Sequence, residues 1–396
     1  SALATRLARA GIDVVVLERT QAWRWRAGGV FSSPIAAAAL RRLGLPETTL
    51  AAVAWPVPAM RLETQGGAVG RLTYGAESDG PTAVGFDRSA LDPALELMAG
   101  TAGAEIRRGV TVTSVDLRGD DGPMLATRTA DGTTSRLQAR IVVGADGPHS
   151  IVARAAGVAR PARLPARVGL SYHVADPRPR DDGAPLPDAR LRVFAGGYVG
   201  LAPVPDGRLN VGIVLGRPWR DRLARDGAVA TARFVLAGIP PAVDDPTSWH
   251  EAERSDQVAG AAPLGGRVTR SAGDGWFLTG DAVGFLDPFT GEGLHRAMVS
   301  SELAGAAIRS TLDHGSSTSQ RAAAAYHRAL RRRFGAKDAV SWLVQSFLAH
   351  PALFEYAARR LVDRPDLRAT MGLVMGDLVP ASRGLDPRFL TALLAP

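Results

Sequence analysis

TGDAVGFLDPFTGEG, residues 279–293, packs an acid, a proline and a Gly-Glu-Gly turn between an apolar run and a long helical pattern. Trp276 to Thr279 reads as a buried strand that ends at Gly280. Asp281 then comes where a carboxylate can accept hydrogen bonds from a polyol chain. Pro288 bends the chain, and Gly291 and Gly293 let backbone pass very close to a flat ligand. The helix starting there points its free N–H groups outward, a geometry that favours negative charge. A plain glycine-rich surface loop would explain the glycines, but not the Asp, the Pro and the Gly-Glu-Gly together.

Two other stretches have the same character. In VVGADGPHS, residues 142–150, Ile141 to Val143 form a buried strand, Gly144 and Gly147 make a tight turn, and Ser150 caps the next helix. Asp146 stands at the strand's carboxyl end, where open α/β sheets bind their ligands. An ordinary strand-turn-helix corner would look the same. The chain begins SALATRLARAGIDVVVLER, residues 1–19. Leu3 and Leu7 with intervening alanines predict a helix over 2–10, stopped by Gly11. Ile12 to Leu17 is an apolar, β-branched run, as in a strand covered on both faces, and it ends in Glu18. Helix, strand and acid make the second half of a dinucleotide-binding βαβ unit, in which the acid lies about 20 residues beyond the start of a Gly-x-Gly-x-x-Gly turn. Counting back from Glu18 predicts that turn, and a short apolar strand, ahead of Ser1.

The chain has 396 residues, 46% of them hydrophobic and 22% charged, enough for two domains. No run approaches the roughly 18 apolar residues of a membrane span, and no signal peptide is visible, so the cytoplasm is expected. The absence of cysteine excludes disulfides, thiolate metal sites and a thiol nucleophile. The seven histidines are scattered without ligand spacing, so no metal is expected. Redox chemistry must come from a bound cofactor. The net charge is +8, Lys337 is the only lysine, and the arginines are dispersed. Arg331, Arg332 and Arg333 read as a solvated helix face. With 6% aromatic residues the chain does not look like a nucleic-acid binder, whereas its arginines would steer anionic nucleotides such as NAD(P)H.

The expected fold class is α/β: a discontinuous Rossmann-like nucleotide-binding domain with an inserted antiparallel β-sheet substrate domain and a helical C-terminal tail. Residues 1–157 form the first part, in which Ser33-Pro34 opens a helix that Gly44 closes. Short strands over 59–85, broken at Gly66-Gly67 and Asp79-Gly80-Pro81, are expected to join the substrate domain. Leu91, Leu95 and Met98 mark a helix, Val110, Val112 and Val115 a strand, and Asp131-Gly132 a hairpin turn. Residues 158–263 alternate apolar and polar, with a turn at Pro205-Asp206-Gly207, as in a sheet with one covered face. Residues 264–320 return to the nucleotide domain, and 321–396 are helical. His173 and Tyr172 alternate on one strand, His295 lies just inside the helix after Gly293, and Trp342 and Phe347 suit a core.

Taken in order, SALATRLARAG with VVVLER, Arg88 in FDRSALD, GADGPHS and GDAVGFLDPFTGEG resemble the FAD-dependent monooxygenases of the p-hydroxybenzoate hydroxylase fold. That superfamily includes geranylgeranyl reductases and flavin-dependent halogenases. The resemblance implies FAD, with NAD(P)H as electron donor. Glu18 would bind the adenosine ribose, and Arg24, Arg26 and Arg88 would lie along the FAD. Asp146 and Gly147 would serve the motif shared by FAD and NAD(P)H. Gly280 and Asp281 would hold the ribityl chain, and Pro288, Gly291, Glu292 and Gly293 would border the isoalloxazine ring. Halogenases carry a Trp-x-Trp-x-Ile-Pro motif and an active-site lysine, whereas the sole lysine here is Lys337 in the tail. Many geranylgeranyl reductases carry a cysteine where this chain has Ala27 and Gly28, and of their aromatic motif only Tyr198 and Pro203 remain. The leading expectation is an NAD(P)H- and O2-using monooxygenase of a small apolar or aromatic substrate, with no catalytic residue singled out. A double-bond reductase of the geranylgeranyl reductase type is the alternative. A flavin- or nucleotide-binding module without catalysis, and a basic scaffold for anionic partners, are readings of other classes. Substrate identity and oligomeric state are not written in these motifs.

Overall fold

The computed structural model describes the chain except residues 76–80, 120, 164, 179–184, 241–248, 250, 315 and 396, and the side chains of 316–318. The expected break at Asp79-Gly80 lies outside the described residues.

The layer expected to bind the nucleotide comes in two pieces. Val15–Glu18 pairs in parallel with Glu105–Arg108. Val142–Gly144 pairs in parallel with Trp276–Leu278, which Ala272–Gly273 borders in antiparallel fashion. The first strand departs from the sequence expectation of burial on both faces. It is regular only from Val15, and Val15 is 38% exposed. The reason is packing: Val14 and Val16 meet Ala4, Ala99 and Ala104 on one face, whereas Val15, pointing to the other, joins no apolar cluster among the described residues. Helix Ala2–Arg9 packs on Gly293–His314 and on Arg88–Thr101. Leu7, Phe277, Ala304, Ile308 and Tyr326 form their common core, and the Tyr326 hydroxyl donates to the Leu278 carbonyl at 2.6 Å. Helix Pro34–Leu43 follows Ser33 and closes at Gly44 with φ +96°, a left-handed value that glycine adopts without strain.

The second layer is a seven-stranded sheet in the order 259–261, 168–175, 208–215, 197–204, 189–194, 59–64 and 69–73. Its neighbours are antiparallel except Ala189–Phe194 beside Ala59–Thr64. Asp206 and Gly207 both have positive φ, 60° and 62°, the two-residue turn whose twist matches a hairpin. Period-two alternation splits the sheet cleanly. Leu170, Tyr172, Val174, Val199, Leu209 and Val211 face helix Arg220–Ala237. On the other face Met60, Leu62, Leu72 and Leu191 lie under the helices Pro351–Asp363, Pro365–Met375 and Pro387–Leu394. Phe347 is buried in that cluster and Trp342 is half-buried. No helix among the described residues is long and apolar enough to cross a membrane.

Ala83–Phe86 belongs to neither layer. It pairs with Phe31–Ser32 and Ala54–Val57 and runs hard against the large sheet. A Cβ added at Gly85 would stand 1.8 Å from the Pro203 carbonyl oxygen. Gly85→Ala is therefore expected to cost about 1–3 kcal/mol, the usual penalty for overpacking. A urea midpoint equal to wild type would show that the two sheets do not approach this closely.

Candidate functional site

The loop from Thr279 to Gly293 is pinned where it begins. The Thr279 amide donates to the Gly144 carbonyl at 2.9 Å, and the Gly280 amide, at φ +56°, donates to the Ser300 hydroxyl at 2.9 Å. Asp281 sits in the single turn Gly280–Ala282. Its carboxylate accepts no hydrogen bond among the described residues. Burial pushes its pKa up, against the pull of Arg88 and Arg296. The Asp287 carboxylate accepts from the Phe289 amide at 3.0 Å and from the Tyr198 hydroxyl, and pairs with Arg167 at 3.0 Å. Gly291 has φ +65°, and its absent Cβ would meet the Phe31 ring at 2.9 Å. Beside Gly293 a Cβ would meet nothing within 4 Å, so the helix begins at an open surface.

The other sequence-selected residues fall into three groups. Glu18 uses one oxygen to accept from the Thr20 amide (2.9 Å), the Thr20 hydroxyl (2.7 Å) and Arg26 (2.9 Å). Burial would raise its pKa, but these hydrogen bonds outweigh burial and hold it low. Its second carboxylate oxygen has no partner among the described residues. Arg88 is gripped by Asp92 at 2.8 and 3.1 Å and donates to the Gly29 carbonyl at 2.9 Å, while its charge reaches Asp281. Arg24 is exposed and makes no ion pair among the described residues. Asp146 is exposed and accepts from the Ile151 amide at 2.7 Å, so it caps helix Ile151–Ala155 together with Ser150, whose hydroxyl accepts from Ala153. Gly147 has φ +82°.

Glu292 is 6% exposed, and one of its oxygens has no hydrogen-bond partner. Burial raises its pKa, opposed by Lys337 and Arg296. His295 faces Arg333 at 3.0 Å and Phe334 across the helix pair, and burial pushes its pKa down to about 4, so it is neutral at physiological pH. His173 is held by Asp256 at 2.7 Å and lies 4.5 Å from the Trp25 ring, on the sheet face opposite Tyr172.

Sequence reasoning missed Asp287, Arg167 and the setting of Lys337. Asp287 stands inside the quoted loop, directly before Pro288, a cap position that carried the signal. Nothing local marks Arg167, which is 120 residues from its partner.

An apolar cavity of about 70 Å³, part of it open to solvent, extends from Phe289 along the sheet. Met60, Leu62 and Leu191 form its floor, and Leu343, Phe347 and Phe354 are among the side chains that roof it. Its lining contains no polar side chain.

A family described as FAD binding domain matches residues 1–334. The chain belongs to the FAD binding domain family. It is an enzyme, an FAD-dependent oxidoreductase, and FAD is its cofactor. Digeranylgeranylglycerophospholipid reductase 2 of Methanothermobacter thermautotrophicus is 28% identical over 340 residues, 80% of this chain and 76% of that protein. Menaquinone reductase of Mycolicibacterium smegmatis is 28% identical over 323 residues, 77% and 72% of the two chains. Among solved structures, a flavoprotein/dehydrogenase from Cytophaga hutchinsonii has a TM-score of 0.79 at 18% identity, covering 97% of this chain and 92% of its own. The flavin-dependent halogenase CmlS has a TM-score of 0.72 at 26% identity, over 85% of this chain and 60% of its own. A probable FAD-dependent monooxygenase, pqsL of Pseudomonas aeruginosa, has a TM-score of 0.69 at 21% identity, over 89% and 94%.

The residues present fit FAD. Glu18 keeps one carboxylate oxygen unused, Asp281 keeps both, and the helix start at Gly293 is bare. Sugar hydroxyls and a flat ring are what such groups satisfy.

Proposed function

We propose that the chain is a flavin-dependent reductase of a carbon–carbon double bond in a long apolar substrate. The observation that carries this reading is the cavity. A lining without polar groups gives a small polar molecule nothing to orient it, whereas a hydrocarbon chain gains from every contact. The names of the two curated relatives point to isoprenoid-bearing lipids and quinones, which supports the same chemistry. Bound FAD supplies hydride transfer, with NAD(P)H as its reductant. In this reading Glu18 binds the ribose, Arg24, Arg26 and Arg88 follow the FAD, and Asp146 and Gly147 close the shared dinucleotide motif. Gly280 and Asp281 hold the ribityl chain. Pro288, Gly291, Glu292 and Gly293 border the ring, so Phe289 stands between ring and cavity. The apolar roof excludes water from the reacting carbons.

A second reading keeps the monooxygenase, and Tyr198 favours it. Its hydroxyl is bonded to Asp287 and its ring meets Phe289 edge-on at 5.1 Å, a polar pair just behind the Phe289 that lines one end of the cavity, which would orient a small aromatic substrate.

The two differ in product. With FAD, NAD(P)H and geranylgeraniol, the reductase is expected to yield a product heavier by two hydrogens, with or without oxygen. A product heavier by one oxygen atom, with oxygen consumed, would establish the second reading. A flavin-loaded chain that converts nothing would be a binding module.

A further inference from the structure

Lys337 lies in the C-terminal helices, yet it is 4% exposed and reaches back to the flavin-site loop. Its ammonium donates to the Val374 carbonyl at 2.7 Å and to Met375 at 3.4 Å, the last turn of helix Pro365–Met375. It pairs with Asp377 at 2.8 Å and lies 3.6 Å from the otherwise unbonded oxygen of Glu292. Asp377 holds a left-handed backbone, φ +59°, and its other oxygen accepts from the Ser33 hydroxyl at 3.0 Å. Ser33 in turn begins helix Pro34–Leu43 of the nucleotide layer. Around this cluster Arg296 pairs with both Glu292 and Asp338.

One cation thus joins three parts of the fold: the turn after Gly291, helix Pro34–Leu43 through Asp377 and Ser33, and the helix that supplies Met371 and Met375 to the cavity. The next turns of its own helix supply Val340, Leu343 and Val344 to the same cavity. A buried ammonium between two buried carboxylates is costly unless every partner is in place, so the cluster either holds all three parts or releases them.

We propose that Lys337 is a positioning residue that couples flavin occupancy to the order of the cavity wall, an inference that rests on the functional reading above. FAD settling against the Glu292 turn fixes the carboxylate that Lys337 faces. The cost of ordering helix Pro365–Met375 has then been met before substrate arrives.

The test is amide hydrogen exchange of the peptide 365–378, with and without saturating FAD, alongside the affinity for geranylgeraniol. In the wild-type chain FAD is expected to slow exchange there, and to tighten geranylgeraniol binding, by about tenfold, within the usual range of coupling between sites. In Lys337→Met both effects are expected to shrink below about twofold. Ser33→Ala removes a single hydrogen bond and leaves the ammonium in place, and is expected to fall in between. Should Lys337→Met not fold, Ser33→Ala decides, and wild-type coupling in it overturns the proposal. Equal coupling in wild type and Lys337→Met overturns it, as does a flavin-loaded wild-type chain whose helix is no better protected. A wild-type chain that binds no FAD overturns both this inference and the functional reading. Binding of FAD and geranylgeraniol without coupling overturns this inference alone.

Discussion

Glu63→Gln is expected to lower the unfolding free energy by about 3–5 kcal/mol, the loss seen when one partner of a buried ion pair is removed. Glu63 and Arg190 are each about 4% exposed and meet in a two-pronged pair at 2.7 and 2.9 Å. Arg192 at 3.7 Å and Arg61 at 3.8 Å share the same carboxylate. Glutamine keeps the volume and removes the charge, so the buried Arg190 guanidinium, with the half-covered Arg61 and Arg192 beside it, is left facing a neutral amide. Urea unfolding at constant pH measures the loss, and added salt should not diminish it, because a buried pair is poorly screened. The exposed pair Arg41–Glu47, at 2.6 Å, serves as the control, and Glu47→Gln is expected to leave the urea midpoint nearly unchanged. A loss of less than 1 kcal/mol at Glu63 would mean that Arg190 finds sufficient compensation elsewhere, with the Pro240 carbonyl at 3.4 Å as one candidate.

Asp281→Ala is expected to weaken FAD binding by about 1.5–3 kcal/mol for each charge-assisted hydrogen bond lost, roughly 10- to 100-fold. The unbonded carboxylate beside Gly280 is the reason: hydroxyls of a ribityl chain would be its first partners. Asp281→Asn retains an acceptor oxygen and should be milder. Titration of the unloaded chain with FAD, followed by flavin fluorescence, measures both. Wild-type affinity in the alanine variant would place the ribityl chain elsewhere.

Much of the architecture was legible because local chemistry and tertiary structure agree. The hairpin at Pro205-Asp206-Gly207 has the positive φ pair that Asp-Gly tolerates, and Ser33-Pro34 and Gly44 bound a helix as capping rules require. The seven-stranded sheet was visible in alternation, since one residue in two packs beneath a helix. The errors are equally physical. The apolar content of Ile12 to Leu17 suggests cover on both faces, but cover depends on what packs against each face, and no apolar cluster among the described residues includes Val15. The tail was legible as helical, but not as the roof of the cavity, because which apolar stripe meets which sheet depends on contacts hundreds of residues apart. Lys337 illustrates the limit best. In sequence it is a lone lysine after an arginine run, and only the meeting of Glu292, Val374 and Asp377 gives it a place.

Helix Ser316–Leu348 is continuous for 33 residues and does two jobs along its length. Tyr326, Leu330 and Phe334 pack against the nucleotide layer, and Val340 to Phe347 roof the cavity. At about 1.5 Å per residue, some 30 Å separate Tyr326 from Phe347. The rod works as a ruler, and also as a protractor. One residue inserted between Phe334 and Val340 would shift the roof by that small step but turn it through about 100°, carrying the apolar stripe off the sheet. Any replacement of the roof beyond residue 334 must therefore keep the helical phase set by Tyr326, Leu330 and Phe334.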